Sequence, residues 1–140
     1  LNIPLIALDT MHILARKIEC SEGYIVPAID ARRDEIYFAM FQSNNCKIPE
    51  LKVKTDTMIL SSDSFSNYYE TSTVNFVGDC NKKIMQYLNH ENIFFSDYIL
   101  PSANEMGVLS HSKYVKEQFV DVAEFQPKYL KDFGGKKINN

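Results

Sequence analysis

The feature that most constrains this chain is a pair of apolar runs separated by a short charged stretch. The first, Tyr24 to Ala31, holds Ile25, Val26, Ala28 and Ile29; the second, Glu35 to Gln42, holds Ile36, Tyr37, Phe38, Ala39, Met40 and Phe41. β-branched and aromatic side chains suit a pleated surface, so both runs read as strands. Asp30-Ala31-Arg32-Arg33-Asp34-Glu35 then reads as the turn of an antiparallel hairpin. The unbroken apolar character of the second run is that of a strand buried on both faces. Pro27 argues against full pairing of the first, because it has no N–H to give a central ladder.

Around this hairpin the periodicity predicts the remaining elements. Ile3 to Leu8 reads as an edge strand, followed by a helix capped by Asp9 or Thr10. Met11, Leu14, Ala15 and Ile18 share one face of that helix, and Gly23 stands where a C-cap belongs. Beyond the hairpin, Ser43-Asn44-Asn45 is a turn and Lys47 to Asp56 a third strand. Ser62 to Tyr69 reads as a short helix capped by Ser62 or Asp63, and Val74 to Val77 as a strand closed by Gly78-Asp79. A helix with Ile84, Met85 and Leu88 on one face precedes a last strand, Ile93-Phe94-Phe95. Pro101-Ser102 opens the longest helix, with Val108, Leu109, Val115 and Phe119 on one side. The order β-β-β-α-β-α-β-α predicts an α/β fold, a ribonuclease H-like lobe with a mixed five-stranded sheet flanked by helices. Residues 1–23 are expected to lead into the lobe, 24–120 to form it, and 121–140 to pack on it as a tail that becomes loose around Gly134-Gly135.

Charge and cysteine usage exclude several functions. The 140 residues suit one domain and carry a net charge of −3. Gripping a nucleic-acid backbone needs clustered cations, and Arg32-Arg33, Lys82-Lys83 and Lys136-Lys137 are each no more than a pair. All three read as solvated surface, so no direct grip on nucleic acid is expected. Cys20, Cys46 and Cys80 are far apart and form no Cys-x-x-Cys, which fits reduced thiols in a cytoplasmic protein. No apolar stretch approaches the ~20 residues of a membrane span. The sequence opens on Asn2-Ile3-Pro4-Leu5 without an initiator Met or a signal-peptide pattern, and reads as a truncation.

Three segments carry a family resemblance. Pro27-Ala28-Ile29-Asp30-Ala31-Arg32-Arg33-Asp34-Glu35-Ile36-Tyr37 closely resembles the hairpin of the TsaB/YeaZ family. Ile3-Pro4-Leu5-Ile6-Ala7-Leu8-Asp9-Thr10 is similar to the segment joining the two lobes of that family, and Pro127-Lys128-Tyr129-Leu130-Lys131 to its closing motif. Departures are Lys131 where Arg is usual, Asp9 where Ser is common, and Cys80 where Gly often follows Gly78-Asp79. The resemblance implies the C-terminal half of an ASKHA-type protein, a non-catalytic scaffold subunit in tRNA threonylcarbamoyladenosine synthesis. It also implies partners: a TsaD-like catalytic subunit, a TsaE-like ATPase, the protein's own N-terminal lobe, and a homodimer of the full-length form. No cofactor is expected on the fragment itself; ATP would belong to the full-length complex.

Site candidates follow from residue chemistry. No catalytic residue and no metal site is expected: His12, His90 and His111 lie far apart in sequence, with His12 and His111 expected on helix surfaces. That leaves an M22-type metalloprotease without support in these residues. Asp30 and Asp79, near the ends of two strands, are candidates for a metal- or nucleotide-binding pair, as in a ribonuclease H-like nuclease. Gly78-Asp79 before a helix also resembles a phosphate corner. Arg32, Arg33, Asp34 and Glu35 are candidate partner or inter-lobe contacts, since alternating charges can set docking specificity. Tyr129-Leu130 is expected to pack the tail on the domain.

Overall fold

The computed structural model describes residues 3–45, 48–97 and 100–130. Its elements are α1 (Thr10–Ala15), β1 (Glu22–Asp30), β2 (Glu35–Asn44), β3 (Glu50–Ile59), α2 (Ser66–Tyr69), β4 (Val74–Val77), α3 (Asn81–Ile84), β5 (Ile93–Phe95) and α4 (Ala103–Val115). One mixed sheet runs in the order β3-β2-β1-β4-β5. The β1–β2 and β2–β3 pairs are antiparallel, and the β1–β4 and β4–β5 pairs parallel. The predicted α/β class, hairpin and five-stranded mixed sheet are therefore present.

β2 shows why its run lacks polar breaks. Successive side chains of a strand point to opposite faces. Ile36, Phe38 and Met40 enter one core with Val26, Ala28, Val74, Phe76, Leu60, Phe65 and Ile84. Ala39 and Phe41 enter a second core with Ile25, Val77 and the α1 residues Met11, Leu14 and Ala15. Phe65 anchors the first core through edge-to-face contacts with Phe38 and Phe76, at 5.4 and 5.3 Å between ring centres. Such pairs add about 1 kcal/mol each beyond area burial.

Pro27 sits in a central strand after all. The β1–β2 ladder lapses after Ile25↔Phe41 and resumes at Ala28↔Phe38 in the same register, while Pro27 pairs with Val77 on the β4 side. The missing N–H is absorbed by a local gap in the ladder.

Several local expectations are corrected. Gly23 caps no helix. It lies in β1 at φ +109°, where an added Cβ would stand 2.1 Å from Thr73 Oγ1. Ile3–Leu8 forms no strand beyond one bridge, Leu5↔Val120. The third strand starts at Glu50 and runs to Ile59; Lys47 lies outside the described residues. Ser62 and Asp63 cap nothing, because Phe65 takes a left-handed conformation (φ 64°) to seat its ring and the helix begins only after it. Ile84 and Leu88 are buried, but Met85 is 50% exposed. On α4 only Leu109 is buried; Val108 and Val115 face outward, and Phe119 lies beyond the helix end. Asp9 does cap α1, accepting from the Met11 N–H at 2.8 Å. Among the described residues no helix is long and apolar enough to cross a membrane.

Candidate functional site

Two places gather the residues singled out by sequence: the hairpin end of the sheet, and a groove beside α1. At the hairpin end, parallel pairing puts the C-terminal ends of β1 and β4 side by side, so Asp30 and Asp79 meet. The Asp79 carboxylate accepts the Asp30 N–H at 2.9 Å. Asp30 itself accepts from the Arg32 N–H at 2.7 Å and from the Lys83 ammonium. These two donors, Lys83 first, hold its carboxyl below the usual Asp range. A divalent ion at this oxygen would have to displace the Lys83 ammonium. Among the described residues no group of three or more His, Cys, Asp or Glu side chains comes together that could hold a metal.

Gly78 has a backbone reason to be glycine. Its φ is +134°, and an added Cβ would stand 2.0 Å from the Ala28 carbonyl oxygen. The close approach of β4 to β1 thus accounts for the residue without a bound phosphate. Behind it, burial pushes the Cys80 thiol up to about 12, with Asp79 adding to the effect.

The turn is held from below. Lys83 reaches both Asp30 and the Glu35 carbonyl, the latter at 3.1 Å. The Tyr87 hydroxyl donates to Asp34 at 2.7 Å, which raises the Tyr87 pKa. The Leu60 N–H donates to the Asp34 carbonyl at 2.8 Å. So fixed, Arg32 and Arg33 both adopt left-handed backbone, φ 74° and 49°. For residues with a Cβ that conformation costs about 1–2 kcal/mol each, and such strain persists only where surroundings enforce it. Sequence reasoning placed Lys83 in a solvated cluster and passed over Tyr87. Their spacing of four residues just after β4 was the available signal, since it aligns them on one side of a helical turn.

The groove, about 690 Å³, is lined by Ala7–Met11, by Ile29 and Tyr37 of the hairpin strands, by Thr55, and by Phe125–Leu130. All three segments that carry the resemblance therefore converge on it. Asp9 is fixed there by its capping bond and by Thr55 Oγ1 at 3.2 Å. Leu130 ends the described tail; Lys131, Lys136-Lys137, Gly134-Gly135 and Cys46 lie outside the described residues. His12 does not ride on the helix surface. Its ring lies 4.8 Å from that of Phe41, and burial lowers its pKa. His111 is exposed as expected, and His90 packs on Tyr69.

The same fold occurs in solved structures. YeaZ from Pseudomonas aeruginosa superposes with a TM-score of 0.72 at 19% identity, covering 91% of this chain and 59% of that one. The fold is that of YeaZ. An uncharacterised protein with similarity to peptidase YeaZ from Pseudomonas aeruginosa gives 0.69 at 18% identity, with the same coverages of 91% and 59%. The chain thus spans less than two thirds of either YeaZ-type structure. No protein-family model and no curated protein matches the sequence.

Proposed function

We propose that this chain is the C-terminal lobe of a TsaB/YeaZ-like protein, a non-catalytic partner subunit in formation of threonylcarbamoyladenosine on tRNA. The observation that carries the reading is the convergence, within a YeaZ fold, of the joining segment, the hairpin and the closing motif on one groove. Exposed apolar side chains are compatible with a partner role: Val115 on α4 and Val122 and Tyr129 after it are 66%, 70% and 70% exposed. In this reading α4 and the tail receive the remaining lobe of such a protein. A TsaD-like catalytic subunit and a TsaE-like ATPase complete the system, and ATP belongs to that assembly. The deciding experiment is reconstitution of tRNA threonylcarbamoylation with the full-length protein present or omitted. Modification that depends on the protein supports the reading, and modification at full rate without it refutes it.

A further inference from the structure

We infer that His12 is a proton-operated latch on α4: its neutral ring lets the helix dock against α1, and its protonated ring releases the helix. This goes beyond the partner-subunit reading and does not depend on it. The ring stands on α1 and packs on Phe41 of β2, with 4.8 Å between ring centres. Its Nε2 is buried and has no hydrogen-bond partner among the described residues. A neutral imidazole keeps one nitrogen free of a proton, whereas the cation carries an N–H at both. Protonation would therefore bury a charge and leave a donor with nothing to receive it.

The groups around the ring decide whether the cation can stay. Burial opposes it most, Asp9 and the Pro49 carbonyl favour it, and the Lys113 ammonium of α4 opposes it; the balance lowers the pKa from 6.5. Glu50, beside Pro49, is engaged by Lys52 at 3.1 Å. Arg16, one turn along α1, has a buried Nε without a partner and offers no acceptor. β1 and β2 face α1 with Ile25, Ile29 and Phe41, which carry no charge. Lys113 also ties α4 to the chain before α1, donating to the Ala7 carbonyl at 2.7 Å. A cation at His12 thus pushes on one of the few bonds that hold α4. The others are the buried Leu109 and the Lys17–Glu105 pair at 3.5 Å. The Ser102 hydroxyl keeps the Glu105 carboxyl below its ordinary 4.5, so that pair stays charged while His12 titrates. Docking is then at full strength above pH 6.5 and weakens as pH falls below it.

The test is hydrogen exchange of the α4 amides in the purified chain at about pH 7.5 and 5.5, corrected for intrinsic exchange. Global unfolding frees His12 as well, so the readout is confined to α4 amides less protected than those of β2. One linked proton changes an opening constant by at most about tenfold per pH unit, and α4 protection should fall by roughly threefold to tenfold between the two conditions. His12→Phe, or His12→Gln should the larger ring disturb the core, should abolish that fall. His111→Gln, at the exposed histidine of α4 itself, should leave it unchanged. Three results would each overturn the latch: pH-independent α4 protection in the parent, a fall that survives both His12 variants, or α4 amides that open only together with β2. No readout involves tRNA modification, so the latch and the pathway assignment stand or fall separately.

Discussion

The hairpin end and the α4 face solve opposite problems. At the hairpin end three carboxylates have internal partners: Asp30 with Lys83, Asp34 with Tyr87, and Asp79 with the β1 backbone. The backbone there takes up conformations that only Gly78 adopts freely, or that Arg32 and Arg33 adopt under constraint. α4 is tied on by few bonds. Leu109 is its one buried residue, Lys17 pairs with Glu105 at 3.5 Å, and Lys113 donates to the Ala7 carbonyl at 2.7 Å. One region holds its shape by itself, and the other leaves apolar surface uncovered. Stability should concentrate in the first.

Substitutions at the two ends test that contrast. The largest effect belongs to Gly78→Ala, which places a methyl group 2.0 Å from a backbone oxygen at a φ that alanine avoids. Urea denaturation should show a loss of about 3 kcal/mol or more; a loss under 1 would mean the β1–β4 approach can relax.

Lys83→Met comes next. Lys83 is mostly covered but Asp30 is half exposed, so screening limits the loss to about 1 kcal/mol at neutral pH. Because the folded-state pKa of Asp30 is depressed, its contribution is present above the unfolded Asp value of 3.8 and lost as pH falls through the folded value. The variant should accordingly lose less stability than the parent on acidification below about pH 4. His12 has the same sign at higher pH. Burial lowers its pKa from 6.5, so its neutral form favours the fold above that value and acidification erodes it. His12→Phe should flatten the stability profile as pH falls below 6.5.

The smallest effect is expected at Val115→Ser on α4, within about 0.5 kcal/mol for this chain alone. A larger loss would show that α4 is held more firmly than its contacts indicate.

What could be read from sequence divides along the same line. The Ile36–Phe41 run announces a two-faced buried strand, and with the hairpin it leads to the sheet, because period-two burial leaves a direct mark in residue types. Gly23 and Gly78 were ambiguous. A glycine marks unusual backbone, but whether that is a cap, a phosphate corner or a close strand contact depends on what lies opposite. The meeting of Asp30 with Asp79 was legible from parallel strand order, whereas Lys83 as their neutralising partner was not. A lysine reads as solvated until the turn it reaches has been placed. The α4 face misled because spacing identifies an apolar side without saying whether this chain covers it.

The seat of Cys80 has a kinetic consequence. The side chain is 2% exposed and burial pushes its thiol up to about 12, so at neutral pH almost none of it is the reactive thiolate while the corner stays shut. Alkylation must then wait for the β4–α3 corner to open, whereas half-buried Cys20 reacts without such a delay. Mass spectrometry of the two thiols over time would turn Cys80 into a clock for local opening beneath the hairpin, with Cys20 as its internal reference.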